Sequence, residues 1–181
     1  PNDGWSAGHE RFVRAMNERK YPLHFYWGPF GHANNHARIM EVNDLINSLD
    51  WLEIKKNEAY AAFSNASCND PLPWPNDLKS KNSGQLNAWF RWKALSDTKK
   101  EIKMSLFLVS SSALKTKFAI AKEASADVTL RRVQNLGAKH GQTLQWTFGQ
   151  SKGTTKVGTD GAITISGLKI TVKPVTLKVG K

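Results

Sequence analysis

The chain has 181 residues, 40% of them hydrophobic and 23% charged, which is the make-up of one or two small folded domains. No apolar run approaches the roughly 18 residues of a membrane span, and no signal peptide is legible. The net charge of +11 raises a nucleic-acid reading, but the basic residues are scattered and alternate with apolar ones, as on solvated strand faces.

The first residue is Pro1, so the chain is expected to begin after a cut. Ser6 to Arg19 reads as a helix with Phe12, Val13 and Met16 on one face. Tyr21-Pro22 ends it. Leu23 to Trp27 is a short apolar strand, and the turn Gly28-Pro29-Phe30-Gly31 follows. Ala37 to Leu49 is helical again, with Ile39, Val42, Ile46 and Leu49 at helical spacing.

From Trp51 the period changes to two. Leu86, Ala88, Phe90, Trp92 and Ala94 share one face of an expected strand. Ile102, Met104, Leu106 and Leu108 do the same in the next. Val128 with Leu130, then Leu144, Trp146 and Phe148, mark two more. Ile163 with Ile165, then Leu168, Ile170 and Val172, then Val175, Leu177 and Val179 complete the pattern. Asp160-Gly161 is a hairpin-turn signal. The segments 68–84 and 110–126 read as long loops, the second with a short helix around Ala119 to Ala124. The expected fold class is therefore α/β over residues 1–50, followed by an all-β sandwich over 51–181.

The informative chemistry lies in the first segment. A serine hydrolase needs a carboxylate that holds an imidazole in one tautomer, and an imidazole close to a nucleophilic hydroxyl. In a parallel α/β sheet the strand ends on one edge gather such groups. Asp3 stands just before a helix. His32 stands just past the next strand, 29 residues on. That spacing holds one helix and one strand and brings both side chains to the same sheet edge. The plain alternatives are a helix N-cap for Asp3 and a polar turn residue for His32, with His36 a neighbouring competitor.

The run Asp3-Gly4-Trp5, the helix, the strand LHFYW and Gly28…Gly31-His32 resemble the last βαβ unit of α/β-hydrolases, in particular secreted esterase- and prolyl-oligopeptidase-like enzymes. The resemblance covers about 50 residues. It implies that Asp3 is the triad acid, His32 the triad base, and the helix around Ala37 to Leu49 the final helix of the hydrolase domain. It also implies a nucleophilic Ser in an upstream segment, an ester, peptide or polymer substrate, no cofactor, and a secreted or periplasmic bacterial setting. Residues 51–181 then look like an appended accessory sandwich.

Gly4-Trp5-Ser6-Ala7-Gly8 matches the nucleophile-elbow pattern G-x-S-x-G. The family order Ser, acid, His argues against it, because no βα unit after residue 50 remains to supply a later acid and base. Histidines 9, 24, 32, 36 and 140 form no metal pattern, so no metal is expected. Cys68 is the single cysteine and pairs with nothing inside the chain. Trp89, between Asn87 and Arg91 on the polar strand face, and Trp74, in Pro71-Leu72-Pro73-Trp74-Pro75, are candidate ligand or interface aromatics. They carry the alternative function, a non-enzymatic sandwich that binds a polysaccharide or a cell surface.

Overall fold

A computed structural model describes residues 6–28, 47, 55–73, 83–114 and 119–181. Among these residues the helix α1 (Ser6–Glu18) precedes ten strands: β1 (Phe25–Trp27), β2 (Tyr60–Ser64), β3 (Gly84–Leu86), β4 (Phe90–Asp97), β5 (Glu101–Leu108), β6 (Glu123–Arg131), β7 (Thr143–Phe148), β8 (Ser151–Lys156), β9 (Ile163–Thr171) and β10 (Val175–Gly180). All described pairings are antiparallel. A five-stranded sheet runs β4-β5-β10-β7-β8, a three-stranded sheet β2-β6-β9, and β1 pairs with β3.

The two larger sheets face each other because each carries one apolar side. In β5, Ile102, Met104, Leu106 and Leu108 are buried and the residues between them are half-buried. Ala124, Ala126, Val128 and Leu130 of β6 answer them from the other sheet within one core. Alternation of this kind is what a strand with one buried face requires.

Two features interrupt the period. In β9 the apolar positions slip from Ile163 and Ile165 to Leu168 and Ile170. The slip is a bulge: Ser166 and Gly167 oppose the single residue Asp127, whose carboxylate accepts the Gly167 N–H at 2.9 Å. Gly167 sits at φ +67°, where a side chain is strained. In β4 the register shifts between Ala94 and Ser96, and Leu95 is left 49% exposed.

The β-rich character expected of the chain is present. Several local expectations are corrected. The residues 86–94 are not one strand: Asn87 adopts φ +58° and residues 87–89 form a turn between β3 and β4. No helix spans Ala119–Ala124 among the described residues there. Glu123 and Ala124 already belong to β6, whose Ala124, Ala126, Val128 alternation demands extended backbone. The Asp160-Gly161 turn is found where expected, with Asp160 Oδ1 accepting the Ala162 N–H at 3.1 Å. Phe12 does not join Val13 on the buried face of α1; it is 59% exposed. Of the helix expected at Ala37 to Leu49, only Asn47 is described, and it is helical. The expected boundary near residue 50 lies outside the described residues.

Candidate functional site

The segment that carries the hydrolase resemblance is built from α1 and β1. Helix α1 turns Val13 and Met16 toward Leu23, Trp27 and Leu86, and these residues form a small core of their own. Glu10 and Arg14 bridge on the outer side at 2.8 Å. The helix ends in a Schellman motif, with the Tyr21 N–H donating to Met16 O at 3.0 Å and the Lys20 N–H to Asn17 O at 3.1 Å. Lys20 takes the left-handed position at φ +55°, which glycine would fill without strain. Pro22 then keeps the chain from continuing as helix.

The chain doubles back here. Without a reversal, the rest of α1 and nine further residues would carry Trp27 roughly 35 Å from Val13. Both lie in one core instead. β1 also pairs with β3 in the register Trp27↔Gly84. A Cβ on Gly84 would stand 2.1 Å from the Trp27 indole, so only glycine lets that ring lie across the pair.

Arg131 at the end of β6 fastens this hairpin to the larger sheets. Its Nε–H donates to Lys20 O at 2.7 Å, and its Nη2 donates to Arg19 O. Nη1 reaches Asp160 Oδ2 at 3.3 Å, and the guanidinium lies 4.1 Å from the Tyr21 ring centre. The backbone hydrogen bond from Ala162 is the first cause that holds the Asp160 carboxyl below its usual range, and Arg131 adds to it. Around this junction lies an open cleft of about 580 Å³, bordered by Lys20, Tyr21, Arg131, Lys156 and Asp160.

A polar network holds the start of β4. Asp70 accepts the Gln85 N–H at 3.0 Å. Asn69 Oδ1 accepts the Asn87 N–H at 2.7 Å. Asn87 Nδ2 donates to Phe63 O at 2.9 Å. Gln85 Oε1 accepts the Ala88 N–H at 3.0 Å. These bonds stabilise Asn87 in its left-handed conformation and break the period of two. Ala88, Trp89, Phe90 and Arg91 are consequently all buried. Trp89 is 2% exposed and belongs to the main core. The expectation of an aromatic offered on the polar strand face is corrected for that reason.

Two titratable side chains in this region, His24 and Cys68, are neutral at neutral pH. Burial, with the Arg91 charge as a second cause, pushes the His24 imidazole down to about 3, so it is neutral. Burial pushes the free Cys68 thiol up to about 11, so it is protonated and a poor nucleophile. No group of three His, Cys, Asp or Glu side chains able to hold a metal occurs among the described residues.

Asp3, His32, His36 and Trp74 lie outside the described residues. Ser6 opens α1, and the Gly4-Trp5 of its elbow pattern lies outside as well. No family model matches this chain, and no curated protein or solved structure does either. Arg131 and Asn87 were missed by sequence reasoning. The one signal at hand was Asn87 itself, a residue type that tolerates the left-handed region.

Proposed function

We propose that this chain is the C-terminal part of a serine hydrolase acting on ester or peptide bonds, with Asp3 as the triad acid and His32 as the triad base. Residues 1–50 would be the last unit of an α/β-hydrolase sheet, and residues 51–181 an appended sandwich. The nucleophilic Ser would come from sequence preceding Pro1. The observation that supports this reading most is the reversal between α1 and β1. Asp3 precedes the first residue of α1 by three positions and His32 follows the last residue of β1 by five. A helix and a strand that fold back on each other would leave those two flanks at one end of the unit if each flank keeps the direction of its element. A carboxylate there can accept a hydrogen bond from one imidazole nitrogen and leave the other to take the Ser proton.

His24, pushed down to about 3, is too weak a base to take a Ser proton, and the protonated Cys68 is a poor nucleophile, which leaves His36 as the competitor of His32. The test is made in the protein that includes the upstream sequence. His32→Ala is expected to lower turnover of a p-nitrophenyl ester by several orders of magnitude, and Asp3→Asn by up to about 10⁴-fold. Turnover by this chain alone that vanishes in Ser6→Ala would instead make Ser6 the nucleophile. Near-normal turnover in His32→Ala would overturn the reading.

A further inference from the structure

The outer face of the five-stranded sheet carries an unusual arrangement of charge. Strand registers place Ser96, Lys103, Lys178, Thr147 and Lys152 in one row across β4, β5, β10, β7 and β8. Lys93 lies one step along, opposite Ser105, which in turn faces Thr176. With Lys156, opposite Thr143 on β7, five lysines thus stand on this face, and among the described residues one carboxylate answers them. That carboxylate is Glu101, which is paired with Lys103. The hydrogen bond from Lys103 is the first cause that holds its carboxyl below the usual range, and Lys178 contributes from the neighbouring strand.

Lysines on sheet edges need little explanation, because they block edge-to-edge pairing. That accounts for Lys93 on β4 and Lys152 on β8, the two edge strands. It does not account for Lys103 and Lys178. Strand β10 is the middle of the five and β5 is its neighbour, so neither has an edge to guard. Lys103 and Lys178 are direct cross-strand partners, and like charges in that position repel. Solvation would be served equally well by Thr or Gln, which occupy the adjoining positions at Thr147 and Gln145. Glu101 offsets part of that repulsion, and the face still holds more positive charge than its solvation needs.

We infer that this face is a docking surface for a linear uronate polysaccharide, whose carboxylates sit over the Lys103–Lys178–Lys152 row. Three features favour that occupant. The row extends over three strand spacings of about 4.8 Å each, which suits a chain of repeated charges rather than a single small anion. Glu101 already occupies Lys103 as a carboxylate and so displays the chemistry the row accepts. Ser105, Thr176, Thr147 and Gln145 supply neutral donors and acceptors between the lysines for sugar hydroxyls. A single-stranded nucleic acid would call for a series of stacking platforms between the cations. Among the described residues the one aromatic on this face is the half-buried Phe107, and the neighbouring Arg91 is buried. This inference does not depend on the triad.

The test titrates the chain with polygalacturonate at low and at physiological salt. Dextran sulfate, neutral dextran and single-stranded oligo(dT) serve as comparison ligands. Lys103→Gln/Lys178→Gln is set against Lys122→Gln/Lys139→Gln, which removes the same charge from exposed loops. The expected result is binding of polygalacturonate that weakens about tenfold or more in the sheet variant and less than twofold in the loop variant. The sheet variant should melt close to the parent, because the Lys103–Lys178 repulsion and the exposed attractions to Glu101 are lost together. Equal weakening in both variants would overturn the inference, since net charge alone would then explain binding. Failure to bind polygalacturonate, or binding restricted to dextran sulfate or to oligo(dT), would overturn it as well.

Discussion

Replacing Arg131 by Met isolates the junction between the N-terminal hairpin and the sheets, because the stem still packs while the guanidinium is gone. The two donations to Lys20 O and Arg19 O are charge-assisted, and such bonds contribute about 1.5–3 kcal/mol each. The contact with Asp160 involves a carboxylate whose side chain is 55% exposed, so it adds less than about 1 kcal/mol. The Tyr21 ring contact adds about 0.5–1 kcal/mol. Both carbonyls border an open cleft and regain water when the arginine is lost, which returns part of the sum. A net loss of about 3 kcal/mol is expected for docking of residues 19–28. The readout is tryptic cleavage after Arg19 and Lys20, whose backbone must leave Arg131 before a protease can bind it. If cleavage follows the open population, Arg131→Met should be cut on the order of a hundredfold faster than the parent. Arg131→Lys should recover only a small part, since one ammonium cannot serve two carbonyls as the fork does. Cleavage rates within threefold of the parent in Arg131→Met would refute the reasoning.

Lys20→Gly should stabilise the protein by about 0.5–1 kcal/mol in urea unfolding, because glycine adopts the left-handed position freely; a loss of stability would mean that the Lys20 side chain contributes contacts of its own. Gly84→Ala should destabilise by about 2 kcal/mol, since the new methyl meets the Trp27 indole and the ring must leave the β1–β3 pair; a shift in Trp fluorescence checks the same point. His24 has a folded value of about 3 against an ordinary 6.5. The unfolded chain therefore takes up the proton first as pH falls. The stability that His24 contributes is complete above pH 6.5 and declines below it, by about 2 kcal/mol between pH 7 and pH 5. His24→Asn should remove that slope, and an unchanged pH profile in the variant would show that the imidazole is not held neutral.

How much of this was legible beforehand depends on the range of the forces involved. The alternation in β5, β7 and β10 could be read directly, because a strand with one buried face writes its period into consecutive residues. The helix at Ser6–Glu18 and its end before Pro22 were legible for the same local reason. Strand β8, SKGTTK, carries no apolar face and escaped notice, since its place at the sheet edge asks for none. Strand β2 is buried at every position and so has no alternation to find. The turn at 87–89 was hidden because it depends on Asn69, 18 residues away, accepting the Asn87 N–H.

The candidate site divides in the same way. The order acid, helix, strand, histidine is a property of the sequence alone, and so is the resemblance it carries. That α1 and β1 fold back on each other was decided by the core shared by Val13, Leu23, Trp27 and Leu86. That the hairpin is fastened by Arg131 was decided by residues more than 100 positions apart. The lysine row is a tertiary fact altogether. Lys103, Lys152 and Lys178 are separate solvated side chains in the sequence, and they become one charged surface only because β10 inserts between β5 and β7 and fixes their register. Backbone geometry sets which residues of a strand share a face, but only hydrogen bonding between strands sets which faces become neighbours.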